Sequence, residues 1–243
     1  MFFHTHVYYS KRVDPNLDSL KVIGSILPDL ALTSLITWDD LHKRKGILDF
    51  SSYIEKSNPS LASLLRGINY HNTLDYFTHI SYKNKIGYAY SSITPELISL
   101  VAKALSVDEK RAFISSHNCI ESAVEYYLLR KDPSLAKLIK DSLRETDIEF
   151  LAKTMAGYYG KSQNEMLDAI NKLFSFATQY DLTNIDGWIK LFIDLNKYYL
   201  KVDVDKSLTK QVIKLSLDLT KNTYKEFIET VIATKETEIK DSN

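Results

Sequence analysis

Residues 67–79 read GINYHNTLDYFTH and hold the most informative spacing in the chain. In an α-helix each residue advances by about 100°, so two residues four apart differ by only about 40° around the axis. His71, Asp75 and His79 would therefore share one helix face, with the carboxylate between two imidazoles. This arrangement suits two neighbouring divalent ions bridged by Asp75. Short His/Asp patterns also arise by chance, and a helix with two surface histidines and a solvated aspartate is the alternative.

The composition around this stretch predicts an all-α fold, a multi-helix bundle. Seven glycines and five prolines in 243 residues are too few for a turn-rich β-sandwich, and Leu, Ile, Lys and Glu recur at helical spacing. Pro95 and Asp108 mark two predicted helix starts. We expect a single helical domain over 1–243, with a metal site built from 4–121 and C-terminal helices over 133–234 as scaffold or cover.

Charge and hydropathy argue against several classes of function. Lys+Arg and Asp+Glu both number 31, so the zero formal net charge gives no global attraction to nucleic acid or acidic lipid. The single cysteine, Cys119, excludes an internal disulfide, and no stretch reaches the roughly 18 apolar residues that span a bilayer. The N-terminus lacks the pattern of a signal peptide. We predict a cytoplasmic protein without a transmembrane segment, and the oligomeric state stays open.

A second predicted helix carries another His/carboxylate pair. Residues 110–129 read KRAFISSHNCIESAVEYYLL, which places His117 and Glu121 four residues apart on one face. The apolar residues around Glu121 predict that this helix is mostly buried. Cys119 projects elsewhere and is interpreted as a small buried residue rather than a ligand.

Three further histidines precede these helices. In residues 2–9, FFHTHVYY, an extended conformation would point His4 and His6 the same way and offer both to a metal. The alternative is an aromatic arm with incidental histidines. His42 follows two aspartates within 37–58, which is predicted as a loop with a short helix, and a solvated histidine is the alternative there.

Residues 17–34, LDSLKVIGSILPDLALTS, repeat apolar residues at the spacing of a buried helix. Pro28 should kink or break that helix. Asp29, at the break, needs a partner because burying an unpaired charge is costly, and a metal, a lysine or a helix N-terminus would serve. Gly24 would let another helix or a ligand approach closely.

The order of these motifs resembles that of the zinc-dependent phospholipase C family. GSILPDL at 24–30, DLH at 40–42, HNTLDYFTH at 71–79 and HNCIE at 117–121 carry the resemblance, which covers about half the chain. The family has an all-helical fold related to the S1/P1 nucleases and cleaves phosphate esters with a cluster of zinc ions. The HxH start and RGINYHNTLDYFTH also resemble acyl carrier protein phosphodiesterases.

Carried over by motif, the resemblance implies a ligand set. The first ion would be held by Asp29, His42, His71 and Asp75. The second would be held by His79, His117 and Glu121. Asp75 would also bridge to a third ion with His6 or His4 as its ligand. Secreted members use an N-terminal tryptophan where this chain has Met1, Phe2 and Phe3, so two ions are the preferred number.

These expectations combine into one prediction. All six histidines fall within the first 117 residues, and a His/carboxylate set without cysteine suits Zn²⁺, with Mn²⁺ and Fe²⁺ as alternatives. We predict a metal-dependent phosphoric ester hydrolase acting on a small phosphodiester or phospholipid-like substrate, in which metal-activated water attacks phosphorus. Asp29 is the expected general base and Asp75 the bridging ligand. The alternatives are a non-catalytic helical protein with a structural, storage or sensing metal site, and a metal-free interaction scaffold.

Overall fold

The computed structural model describes residues 3–241, with side chains for residues 3–234, and these residues form helices joined by short connections. The α-helices are α1 Phe3–Val13, α2 Ser19–Gly24, α3 Trp38–His42, α4 Arg44–Ser57, α5 Ala62–Asp75, α6 Tyr88–Ser91, α7 Pro95–Leu105, α8 Glu109–Lys131, α9 Ser134–Glu145, α10 Ile148–Tyr159, α11 Gln163–Thr178, α12 Ile185–Tyr199, α13 Lys206–Thr220 and α14 Tyr224–Asp241. Two 3-10 helices, Leu27–Thr33 and Pro59–Leu61, and a π-helix, Tyr76–Ile80, complete them. The described part of the chain has no strand, so the all-α prediction is confirmed.

Helix α8 lies at the centre of the packing and contacts α1, α7 and α13. It begins where the sequence predicts, because the Asp108 side chain accepts a hydrogen bond from the backbone N–H of Arg111. Helix α7 likewise begins at Pro95, after Thr94 caps it. Cys119 is buried in α8, as expected. The second half of α8 is mostly buried, so its polar side chains Glu121 and Glu125 point into the protein.

Helices α2 and α5 cross at close range, and the crossing depends on two glycines. A Cβ on Gly24 would lie 2.2 Å from the carbonyl oxygen of Leu64, and a Cβ on Gly67 would lie 2.2 Å from that of Lys21. Only glycine allows backbones to come this near. The close approach expected at Gly24 is therefore confirmed, and it brings the backbone after α2 against the face of α5 that carries His71.

The segment 17–34 is interrupted, as Pro28 predicts. Helix α2 ends at Gly24 and a 3-10 helix begins at Leu27 with Pro28 in its first turn, so the predicted break is real and begins a few residues earlier. The segment 37–58 is more helical than expected. It forms α3 and α4, because Thr37 and Asp40 cap the start of α3 reciprocally.

Two other expectations concern the two ends of the chain. The C-terminal helices predicted over 133–234 are the six helices α9 to α14. The extended conformation predicted for 2–9 is wrong over the described residues, since α1 begins at Phe3. Met1 and Phe2 lie outside the described residues. Among the described helices, none combines the length and apolar character needed to cross a membrane.

Candidate metal centre

Asp75, the last residue of α5, has imidazole nitrogens on several sides. Its Oδ1 lies 3.4 Å from Nε2 of His6, and its Oδ2 lies 3.5 Å from Nε2 of His71. The same Oδ2 lies 3.5 Å from Nδ1 of His79 and 3.7 Å from Nε2 of His42. The carboxylate is 6% exposed. Residues from α1, α3, α5 and the π-helix therefore meet at one buried carboxylate.

Potential ligand atoms form three groups around this carboxylate, and within each group the atoms lie within 4.8 Å of one another. The groups are His6/Asp29/His71, His42/His71/Asp75 and His79/His117/Glu121. The structure thus brings together eight of the nine predicted ligands and leaves His4 out of every group. The shared members, His71 and Asp75, make the first two groups neighbours.

The hydrogen bonds of His42 and His71 fix which nitrogen faces the centre with a lone pair. Nδ1 of His71 lies 2.9 Å from the carbonyl oxygen of Ser25, and Nδ1 of His42 lies 3.0 Å from that of Trp38. A carbonyl oxygen only accepts, so both Nδ1 atoms carry a proton, and each ring in its neutral form presents an unprotonated Nε2. Those two Nε2 atoms face each other at 3.3 Å, where two lone pairs repel unless a cation lies between them.

The dimensions of this group fit a transition-metal ion. The circle through Nε2 of His42, Nε2 of His71 and Oδ2 of Asp75 has a radius of about 2.0 Å, from their separations of 3.3, 3.5 and 3.7 Å. Zinc bonds to imidazole nitrogen and carboxylate oxygen measure about 2.0–2.2 Å. One point is therefore at bonding distance from all three atoms.

The third group is built on the His/carboxylate pair of α8. Nε2 of His79 lies 2.5 Å from Oε1 of Glu121, and Nδ1 of His117 donates to the carbonyl oxygen of Ile114 in the preceding turn. That bond leaves Nε2 of His117 as its potential ligand atom. The His79 ring also meets the His117 ring edge to face, with centroids 5.3 Å apart.

Electrostatics show how strongly this centre attracts positive charge. Burial disfavours the charged form of His79, yet Glu121 and Asp75 outweigh it and raise the pKa of His79 to about 9. Burial likewise opposes ionisation of Glu121, but the charge of His79 helps to lower its pKa to about 2. A proton on His79 thus offsets part of the carboxylate charge. Binding of a metal ion at this group would displace that proton.

The remaining members respond mainly to burial. Burial lowers the pKa of His42 to about 3 and holds that of His6 well below its usual value. Burial raises the pKa of Asp29 to about 6, and the negative charges of Asp75 and Glu121 act in the same direction. For Asp75, burial is outweighed by surrounding positive charge, and the pKa lies well below its usual value. His6 and His42 are thus neutral, the form in which imidazole binds metal, and they lie beside the ionised carboxylate of Asp75.

His4 has a different role from the one predicted. In the helical conformation of α1, residues two apart point about 200° from each other, so His4 turns away from His6. Nδ1 of His4 lies 2.9 Å from Oε1 of Glu125, and the backbone N–H of Thr5 donates to Oε2 of the same carboxylate at 3.0 Å. Glu125 thereby holds the first turn of α1 against α8.

Sequence reasoning missed Glu125. It lies four residues after Glu121 on the buried side of α8 and is 0% exposed. An acid repeated at helical spacing within an apolar segment was the available signal, because such a group needs a buried partner. Glu121 and Glu125 point the same way, one towards the metal groups and the other towards α1.

A groove of about 590 Å³ opens onto the centre. Its lining includes His42, Asp75, His79 and His117, with aromatic and aliphatic side chains at the rim: Trp38, Tyr76, Ile80 and Tyr90. Trp38 is half exposed and stacks on the His42 ring with centroids 3.5 Å apart. A deeper pocket reaches Asp29, Asn118 and Glu121, and Leu195 of α12 covers part of it. The centre is therefore accessible to a ligand of moderate size.

No protein-family model, no curated protein and no solved structure matches the chain. The functional argument therefore depends on the geometry of the centre itself.

Proposed function

We propose that this chain is a metal-dependent phosphoesterase with a bundle of the phospholipase C/P1 nuclease type. One observation carries the proposal: the unprotonated nitrogens of His42 and His71 and an oxygen of Asp75 converge on a point at zinc-bonding distance. His, Asp and Glu without cysteine favour Zn²⁺, with Mn²⁺ and Fe²⁺ as alternatives, and the three groups have room for two or more ions.

Ions bound at this centre would supply Lewis acidity towards phosphoryl oxygens and make a water molecule acidic. The protein's own groups would supply the rest of the chemistry. Asp29 lines the deep pocket, and as general base it would accept a proton from the attacking water and pass it to the leaving alcohol. The amide of Asn118, in the same pocket, would donate a hydrogen bond to a phosphoryl oxygen.

The rim favours a small substrate. Trp38, Tyr76 and Tyr90 offer ring surfaces beside the metal groups, which suit an ester whose alcohol part is apolar or planar. We therefore keep the predicted substrate class, a small phosphodiester or phospholipid-like ester. The cytoplasmic location also stays a prediction.

One observation favours a non-catalytic alternative. The group His6/Asp29/His71 consists entirely of buried residues, and closed coordination is typical of structural rather than catalytic sites. In that case the chain would hold metal for stability, storage or sensing. Hydrolysis of a phosphodiester distinguishes the phosphoesterase from the non-catalytic protein, because a closed site would hold metal without catalysing the reaction.

The test is elemental analysis of the purified chain together with hydrolysis of bis(p-nitrophenyl) phosphate. The phosphoesterase proposal expects two or more equivalents of a transition metal, with both metal and turnover lost in His71→Ala. His4→Gln is the matched control: it changes a buried histidine outside the three groups and should keep its metal. A folded, metal-free protein that gains no activity with Zn²⁺ or Mn²⁺ would overturn the proposal.

A further inference from the structure

A second groove, of about 700 Å³, lies on helices α11 and α12 and the connections that follow them. Its lining residues are Lys172, Gln179, Tyr180, Lys190, Asp194, Lys197, Tyr198 and Lys201. It shares no lining residue with the groove over the metal centre. A function for it must therefore be argued separately.

The groove concentrates positive charge in a chain whose formal net charge is zero. It has four lysines and one carboxylate, Asp194, which accepts a hydrogen bond from the Tyr180 hydroxyl at 2.7 Å. Some lysines elsewhere on the surface pair with acids, as Lys137 does with Asp141. Within residues 3–234, none of the four groove lysines forms an ion pair with a carboxylate.

Two of these ammonium groups are held in place by aromatic rings. Nζ of Lys172 lies 4.6 Å from the centre of the Phe176 ring and 5.1 Å from that of Tyr198. Nζ of Lys201 lies 4.9 Å from the centre of the Tyr198 ring. Such contacts restrict long side chains before a ligand arrives, which lowers the entropic cost of binding.

The backbone reinforces this arrangement at one position. Lys201 has a φ of 57°, the left-handed conformation that glycine or asparagine adopts most easily after a helix. A lysine there is mildly strained, and its ammonium group reaches the groove.

Fold stability does not account for the cluster. The dipole of α12 favours a cation in its last turn and so explains Lys197. The contacts of Lys172 with the Phe176 and Tyr198 rings also stabilise the packing of α11 on α12. Lys190 has neither explanation, and four like charges around one groove repel each other. Repulsion of this kind is relieved when an anion binds.

We propose that this groove binds a ligand with adjacent phosphate groups, such as a polyphosphate chain or a multiply phosphorylated headgroup. Lysines act as point-charge donors to phosphate oxygens, and several of them around a concave surface match several phosphates at once. Single-stranded nucleic acid fits less well, because it binds by stacking bases on free ring faces and lysines already cover Phe176 and Tyr198.

The test measures binding of inorganic tripolyphosphate by calorimetry in low salt. The double variant Lys197→Glu/Lys201→Glu should bind at least about 30-fold more weakly, because two phosphate contacts become repulsive. The control Lys110→Glu/Lys153→Glu changes two exposed lysines outside the groove by the same charge and should bind within about threefold of wild type. Equal losses in both double variants, or no binding by wild type, would overturn the proposal.

The variant His71→Ala tests whether tripolyphosphate binds at the metal centre instead of the groove. The proposal expects His71→Ala to bind tripolyphosphate as wild type does. If His71→Ala loses binding and the double lysine variant keeps it, the proposal is wrong. Vesicles containing a bisphosphorylated inositol lipid distinguish the source of the phosphates: lysine-dependent binding to them identifies a headgroup, and binding of tripolyphosphate alone identifies a soluble ligand. Tighter, lysine-dependent binding of a dT₁₂ oligonucleotide than of tripolyphosphate would refute the polyphosphate assignment in favour of nucleic acid.

Discussion

Replacing Asp75 by asparagine should separate the effect of metal on stability from the stability of the fold itself. The substitution keeps the shape of the side chain and removes the charge that His6, His42, His71 and His79 surround. In the metal-free chain two effects oppose each other. The cost of burying a carboxylate disappears, and charged hydrogen bonds worth about 1.5–3 kcal/mol are lost. We expect the metal-free variant to stay within about 2 kcal/mol of wild type.

Zinc should reveal the difference. At a free Zn²⁺ concentration one hundred times the dissociation constant, one site stabilises wild type by about 2.7 kcal/mol. In a chain of this length that corresponds to a rise in Tm of about 5–11 °C. If the loss of the Asp75 charge weakens binding by about 10- to 100-fold, the gain at the same Zn²⁺ concentration falls to about 1.4–0.4 kcal/mol. The Tm of the variant should then rise by less than about 6 °C.

Calorimetric melts with chelator and with buffered Zn²⁺ measure both quantities, and elemental analysis counts the ions. Asp168→Asn, on the exposed side of α11, is the control and should respond to zinc as wild type does. If Asp75→Asn keeps the full metal content and the full rise in Tm, Asp75 is not a ligand and the proposed centre is wrong.

Three other predictions test the scaffold. Glu125→Gln should lower the free energy of unfolding by about 1–3 kcal/mol, because an amide cannot accept from both buried donors, Nδ1 of His4 and the backbone N–H of Thr5. Urea titrations measure this loss. Although burial opposes it, the Lys21 ammonium 2.9 Å from Asp14 helps to hold the pKa of Asp14 below 3.8. The ion pair thus stabilises the fold above a pH of 3.8, and this contribution is lost as the pH falls through the lowered pKa of Asp14. Because Asp14→Asn lacks the pair, its free energy of unfolding should fall less than that of wild type between about pH 6 and pH 3. Gly67→Ala should lower the free energy of unfolding by about 1–3 kcal/mol, because the added Cβ pushes α2 away from α5. Gly157→Ala is the control: its added Cβ meets a single side-chain atom at 3.2 Å, and the substitution should raise the free energy of unfolding by up to about 1 kcal/mol. Thermal melts measure both changes.

The parts of the centre that the sequence predicts are those that depend on local geometry. His71 and Asp75 share a face of α5, and His117 and Glu121 share a face of α8, because residues four apart on a helix always do. That these two faces contribute to one centre was implied only by the resemblance to a family, since spacing along the chain carries no information about which segments lie together. The contact to Glu121 comes from His79, in the π-helix that follows α5.

The error at the N-terminus has a physical cause. Nearly every described residue of α1 is buried, from Phe3 to Ser10, so the helix has no polar face. A helix buried on all sides lacks the 3.6-residue alternation by which it is recognised, and its aromatic and β-branched residues favour a strand. Glu125 was missed for a related reason. Its partners, His4 and Thr5, are about 120 residues away in the chain, and only tertiary packing brings them together.

The π-helix after α5 explains why the three residues of the opening motif converge better than an α-helix allows. In a continuous α-helix His79 would be displaced about 80° from His71 around the axis, because each four-residue step adds about 40°. From Tyr76 the backbone changes to i→i+5 hydrogen bonds, as the bond from Ser81 N–H to the Tyr76 carbonyl oxygen shows. A turn closed by such bonds takes roughly 4.4 residues, so the step from Asp75 to His79 rotates backwards by roughly 30° and cancels most of the first displacement. The same oxygen of Asp75 consequently lies 3.5 Å from a nitrogen of His71 and 3.5 Å from a nitrogen of His79. A π-helical turn is less favourable than an α-helical one. Its position, directly after Asp75 and containing His79, fits the bridging role that we propose for Asp75.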